Sequence, residues 1–383
     1  MPIRKAAVTA ARLSLAALLL VATFFALVFH GWMEAQGRGI IVLTRTSNTP
    51  VLGWIVGVLT DEPRSTETTI GGQPTLLVRP GEGRSWPAVV FLNGVTRRGR
   101  FHPTVQRLAR ALARAGYLVA VPDVPGSRQG TLTASTLAGT EAVVAAVSGR
   151  GDVRDGRVAL FGVSVGGSLA LLAAEDPRLS RRVRLVAALA PYTNLADVVR
   201  IATTSSYLRD GMLRRYTSKP FAALVVARSL AAALPRGRDR SLLLQRLEAV
   251  ADNSHEPLAA LRRLDQRRLR PAARALIRLL ANRDPERFHT LYAAIPERIR
   301  RTVTLLSPLA GASRLRARIM IASAPHDKYF PPDQTRALVR RDSHVKLTVT
   351  PTLQHAIPHF SIGDLSGILR FDGYLVRVMR AAG

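Results

Sequence analysis

The 383-residue chain is long enough for one large domain or two ordinary ones, and with 47% hydrophobic residues it can bury a sizeable core, which excludes a disordered chain. It has no cysteine, which excludes a disulfide framework, a thiolate nucleophile and any cysteine-ligated zinc or iron–sulfur site. The net charge of +29 is almost wholly arginine spread along helices, with lysine only at Lys5, Lys219, Lys328 and Lys346; this reads as solvated helix faces or attraction to lipid headgroups, not as a nucleic-acid surface.

Residues 13–29 form an uncharged apolar run preceded by Arg4, Lys5 and Arg12. That is the layout of a signal peptide or a signal anchor, and the stretch from His30 to Gly37 offers no convincing cleavage site. Residues 1–36 are therefore expected to be an uncleaved, single-pass membrane anchor. The positive-inside rule then leaves the N-terminus in the cytoplasm and the rest outside, or secreted if the segment is cleaved. Val51 to Leu59 is too short to span a bilayer and reads as a strand or an interfacial segment.

From residue 66 onward apolar β-like runs alternate with helical periodicity, the pattern of an α/β fold with a mostly parallel central sheet flanked by helices. The expected strands are 87–92, 117–122, 157–162, 184–190, 318–323 and 345–350, all continuous apolar runs suited to burial on both faces. Helices are expected at 103–115, 133–148, 165–174 and 364–380. The alternation breaks between 195 and 315, where prolines punctuate short helical stripes such as Leu243, Leu247 and Val250. The expected organisation is a core in two parts, 37–194 and 316–383, separated by a large all-helical lid at 195–315.

The chemistry centres on Gly162-Val163-Ser164-Val165-Gly166-Gly167, which lies between an expected buried strand and an expected helix. A tight turn at that place strains the serine backbone and exposes its hydroxyl at a helix N-terminus, where N–H groups favour developing negative charge. The plain alternative is a glycine-rich turn whose serine only caps the helix. A serine nucleophile needs a base and a residue to orient that base. Asp327 follows the strand at 318–323 and His355 follows the strand at 345–350, so both sit where loops gather at the carboxyl ends of a parallel sheet. Asp197 is an alternative acid and His359 a rival base, while Asp123 and His326 read as loop residues. No HExxH, paired-carboxylate or GxGxxG pattern calls for a metal or a cofactor.

In the elbow around Ser164 and the order Ser164, Asp327, His355, the chain resembles the α/β-hydrolase superfamily over roughly residues 66–383, the insert apart. The resemblance implies a catalytic triad of Ser164, Asp327 and His355. It also implies an oxyanion hole from the Val165 N–H and the Val95 N–H, although Asn93-Gly94 replaces the usual His-Gly, and it places a lid after the sixth strand. Arg97, Arg98 and Arg100 would then be either substrate-facing or solvated. The expectation is a membrane-anchored serine hydrolase that cleaves a carboxylic ester, lipid-derived esters included, and needs no cofactor. Amide hydrolysis and acyl transfer use the same residues, and a catalytically silent binding protein is the alternative from another class.

Overall fold

The computed structural model describes residues 33–44, 60–81, 83–359 and 364–383. The expected apolar run at 13–29 and the stretch Val51 to Leu59 both lie outside the described residues. Among the described residues no helix is long and apolar enough to cross a membrane.

The sheet strands are β1 (Arg64–Ile70), β2 (Gln73–Arg79), β3 (Trp86–Leu92), β4 (Leu118–Pro122), β5 (Val153–Val163), β6 (Val183–Leu189), β9 (Arg318–Ser323) and β10 (Val345–Val349). They pair in the order β1-β2-β4-β3-β5-β6-β9-β10. The β1/β2 and β2/β4 pairs are antiparallel and the rest parallel, which makes this an α/β-hydrolase fold. The six apolar runs all become strands, and five of them are buried on both faces, with Val89, Val119, Val121 and Leu160 fully buried; the sixth, β10, is an edge strand in which only Val345 is buried. Two strands are additions to the expected set: β2, whose buried run is only four residues long (Thr75 to Val78), and β1. The strand β1 is an edge strand, RSTETTI, exposed along nearly all its length, so no apolar run marks it.

The period of two sorts strand residues into two cores. Val89, Phe91, Val119 and Phe161 face one layer with α1 (Pro103–Arg114), the helix of residues 33–44 and the C-terminal α12 (Leu365–Ala382). Ala88, Val90, Leu92 and Leu160 face the other, with α2 (Ala134–Ser148), α3 (Val165–Ala174) and the lid. The helix of residues 33–44 runs through the boundary expected at 36/37. It is fixed to the core because Ala35 is buried and the Gln36 amide bonds the Asp372 carboxylate at 3.2 Å.

Between β6 and β9 lie α4 (Leu195–Thr204), α5 (Pro220–Ala232), α6 (Arg238–Glu248), α7 (Ala259–Arg262), α8 (Pro271–Ala281), α9 (Phe288–Ala294) and α10 (Glu297–Leu305); α11 (Asp333–Arg341) follows β9. The expectation of an all-helical lid is corrected by a hairpin, β7 (Ser206–Arg209) with β8 (Met212–Arg215). Its turn is Asp210-Gly211, both at positive φ (51° and 79°), and an Asp-Gly pair is the sequence signal for such a two-residue turn. The lid's apolar stripes are as expected: Leu243, Leu247 and Leu261 are fully buried.

Candidate active site

Ser164 stands between β5 and α3 at φ 55°, ψ −124°, a conformation in which a non-glycine residue is strained. Its N–H donates to Leu189 O at 2.8 Å and its carbonyl accepts from Gly167 N at 2.9 Å, so the turn is tied to β6 and to its own helix. Two glycines make the turn possible. A Cβ on Gly162 would lie 2.4 Å from Gly166 O, and a Cβ on Gly166 would lie 2.0 Å from Leu92 O, both backbone atoms that cannot swing aside.

Asp327 follows β9 and its side chain is almost fully buried. Its Oδ1 accepts from the N–H groups of Tyr329 (2.7 Å) and Phe330 (3.0 Å), which hold the carboxylate in place within its own loop. His355 occupies the tip of a small hairpin, β11 (Leu353–Gln354) with β12 (Ile357–Pro358), at φ 59°. Its Nδ1 lies 2.8 Å from Asp327 Oδ2 and 2.9 Å from Oδ1. The ring packs against Tyr329 and Phe330, with centroids 4.4 Å and 5.8 Å away. An Nδ1–H donated to the carboxylate leaves Nε2 as an acceptor, the tautomer that a general base requires.

Ser164 and His355 border the same cavity, of about 390 Å³. Among the described residues no hydrogen bond joins their side chains; in unliganded hydrolases that contact commonly tightens only once substrate is bound. Val95 and Val165 border the cavity too. Val165 is the first residue of α3, where helix geometry leaves the N–H without an intrahelical acceptor. The loop bearing Val95 is braced by Asn93, which stands where histidine is usual and whose amide donates to Gly99 O at 3.4 Å.

The rival residues separate cleanly. Asp197 lies in the first turn of α4 and accepts from the Asn194 amide at 2.9 Å, and burial pushes its carboxyl above the ordinary range. It makes no bond to His355. His359 does border the cavity, but among the described residues its ring has no carboxylate partner. Asp123 braces a loop, accepting from the Arg100 N–H at 2.8 Å and its guanidinium at 2.5 Å. Arg97 turns away to the lid, where it pairs with Asp252 at 2.6 Å, so neither Arg97 nor Arg100 faces substrate.

Several neighbours were not legible in the sequence. The Tyr216 hydroxyl, from the lid, donates to Asp327 O at 2.6 Å, and the Lys219 N–H donates to Lys328 O at 2.8 Å, so the lid is stitched to the acid loop. Residues 111 and 109 positions apart carry no local signal of such pairing. The cavity wall is largely apolar, with Leu132, Leu195, Val198, Phe221, Val225 and Val226 contributed by the core, α4 and α5.

Comparison with protein families matches residues 74–352 to "X-Pro dipeptidyl-peptidase (S15 family)". The chain belongs to the S15 family. It is an enzyme, a serine hydrolase, and the matched span holds Ser164 and Asp327 and stops three residues short of His355. Similar solved structures include DphMB1, at 17% identity and a TM-score of 0.48, over 87% of this chain and 91% of that one. A hyperthermophilic esterase from the archaeon Pyrobaculum calidifontis is 15% identical with a TM-score of 0.47, over 91% of this chain and 88% of that one. The Pyrococcus horikoshii acylaminoacyl peptidase is 14% identical with a TM-score of 0.45, over 78% of this chain but 38% of that one. Comparison with curated proteins gives no match.

Proposed function

We propose that this S15-family hydrolase cleaves carboxylic esters with an apolar acyl group, through Ser164 as nucleophile, His355 as base and Asp327 as its orienting acid. His355 Nε2 takes the hydroxyl proton as Ser164 attacks the carbonyl, the N–H groups of Val165 and Val95 hold the oxyanion, and water resolves the acyl-enzyme. The observation that carries the ester reading over the peptidase one is the cavity's charge. A dipeptidyl peptidase has to hold a free N-terminal ammonium, which calls for a carboxylate, and no Asp or Glu is among the described residues that border the cavity. Two lysines are. The family description keeps hydrolysis of an X-Pro peptide as the second reading.

One experiment separates them. A fluorophosphonate probe should label the wild-type protein and not Ser164→Ala, and turnover of 4-nitrophenyl esters should rise with acyl length up to the volume of the cavity. Faster turnover of an Xaa-Pro-4-nitroanilide than of any ester would establish the peptidase reading instead. Undiminished labelling of Ser164→Ala would remove Ser164 from the mechanism.

The apolar run at 13–29, with its basic flank, supports a single-pass anchor with the hydrolase outside the cytoplasm as part of this proposal. Retention of the protein in the membrane pellet after alkaline carbonate washing is the expected result.

A further inference from the structure

The chain has 55 basic residues and only four lysines, yet two of the four, Lys219 and Lys328, border the catalytic cavity. They come from different regions, one from the lid and one from the loop after β9, and the backbone bond from Lys219 N–H to Lys328 O sets them side by side. Both are exposed, as befits a rim.

Among the described residues they stand at the cavity without a counter-charge, whereas Arg97 is taken up by Asp252 at 2.6 Å and Arg336 by Asp333 at 2.8 Å. Among the described residues neither lysine makes an ion pair. The carboxylate next to Lys328 in the chain, Asp327, is already engaged by His355 Nδ1 and by the N–H groups of Tyr329 and Phe330. Lysine also differs from arginine as a ligand. Its ammonium is a compact charge on a flexible stem that can follow an anion of varied shape, whereas the guanidinium fork is suited to fixed planar pairs such as those seen elsewhere in this protein.

We propose that Lys219 and Lys328 form an anion-binding rim that selects acyl substrates bearing a carboxylate on the portion held at the cavity mouth, with the apolar acyl portion inside against α5. The inference rests on the ester reading above and adds the charge of the substrate to it. It also separates the two halves of the substrate physically: the wall around Phe221, Val225 and Val226 excludes charge, and the rim attracts it.

The test compares kcat/KM for 4-butyryloxybenzoate with that for its neutral counterpart 4-butyryloxybenzamide. The wild-type enzyme should favour the carboxylate, and the ratio should shrink as salt is raised from about 0.01 to about 1 M. In the double variant Lys219→Met, Lys328→Met the ratio should fall about tenfold. Lys346→Met removes one positive charge, half of what the double variant loses, from β10, away from the cavity, and should leave the ratio unchanged. Hydrolysis of both esters with no preference for the carboxylate would overturn the rim while leaving the ester reading intact. An equal fall in Lys346→Met would assign the preference to the overall charge of the protein and overturn the rim as well. Hydrolysis of neither ester would overturn the ester reading, and the rim with it. A second measurement is independent of turnover: the non-hydrolysable ketone analogue 4-(2-oxopentyl)benzoate, in which a methylene replaces the ester oxygen, should inhibit competitively and bind more weakly to the double variant, and equal inhibition of the two proteins would likewise overturn the rim.

Discussion

In the sheet, Val89, Val119, Val121 and Leu160 are fully buried in continuous apolar strands, whereas in the lid α6, α8 and α10 bury one stripe each and leave arginines on their other faces, and α5 alone is buried all round. The two regions meet at one cavity and divide its tasks. Loops at the strand ends fix Ser164, Asp327 and His355, and the lid supplies wall and rim through α5 and Lys219, with Tyr216 tying it to the acid loop. Reacting atoms need placement to a fraction of an ångström, which a close-packed sheet gives. A wall that sets specificity can rest on helices joined by a few polar ties.

That division can be broken from either side. The largest effect expected is in Asp327→Asn, where the amide no longer holds His355 in the tautomer a base needs; kcat should fall on the order of 10³- to 10⁴-fold with the melting temperature little changed. Steady-state turnover and a thermal melt on the same sample check both halves of that statement. Next comes Gly166→Ala, whose new methyl would lie 2.0 Å from Leu92 O; overpacking against backbone should lower the unfolding free energy by about 4 kcal/mol, read from denaturant titration.

A lid change should behave differently. Arg228 is buried and its guanidinium donates to Leu247 O at 3.1 Å and to Gln129 O at 3.3 Å, with Asp252 at 3.4 Å. Arg228→Met leaves those carbonyls unsatisfied and should cost about 2–3 kcal/mol. Fluorophosphonate labelling of Ser164 should persist in this variant while the preference for acyl length weakens. Loss of labelling instead would mean that the lid also positions the reacting atoms.

The smallest effect expected concerns Glu175 at the C-terminal end of α3, where sheet and lid touch. Burial pushes its carboxyl up to about 8 despite Arg314, whose guanidinium is 2.9 Å away, and its Oε1 has no partner among the described residues. Because the folded value lies above the ordinary 4.5, the protonated form favours folding. That contribution is complete below about pH 4.5 and is lost as pH rises through about 8. Glu175→Gln should flatten the stability curve across this window and gain on the order of 1–2 kcal/mol over wild type near pH 8.5. A parallel pair of curves would show that Arg314 keeps the carboxylate ionised.

The elbow at Ser164 was legible because its requirements are local: a buried strand, two glycines that backbone atoms crowd, and a helix start, all within a dozen residues. Five of the apolar strands were legible for a similar reason, since burial on both faces leaves a run in the sequence, and β10 was legible from the alternating apolar residues of VKLTV. The edge strand β1 was not, because an exposed strand needs no such run, and neither was β2, whose buried run is only four residues; the hairpin β7–β8 was missed in a segment that reads as helical although its Asp210-Gly211 turn was in view.

Local pattern in the chain was thus enough to specify the α/β-hydrolase core, the strained serine and the loops from which Asp327 and His355 come. The choice between His355 and His359 as the partner of Asp327 was left to tertiary packing, which also turned Arg97 and Arg100 away from the cavity into ion pairs. The same packing brought Lys219 and Tyr216 to the acid loop. Such choices depend on distances between residues a hundred positions apart, and those distances are set by the seating of the lid on the sheet rather than by any local preference of the chain.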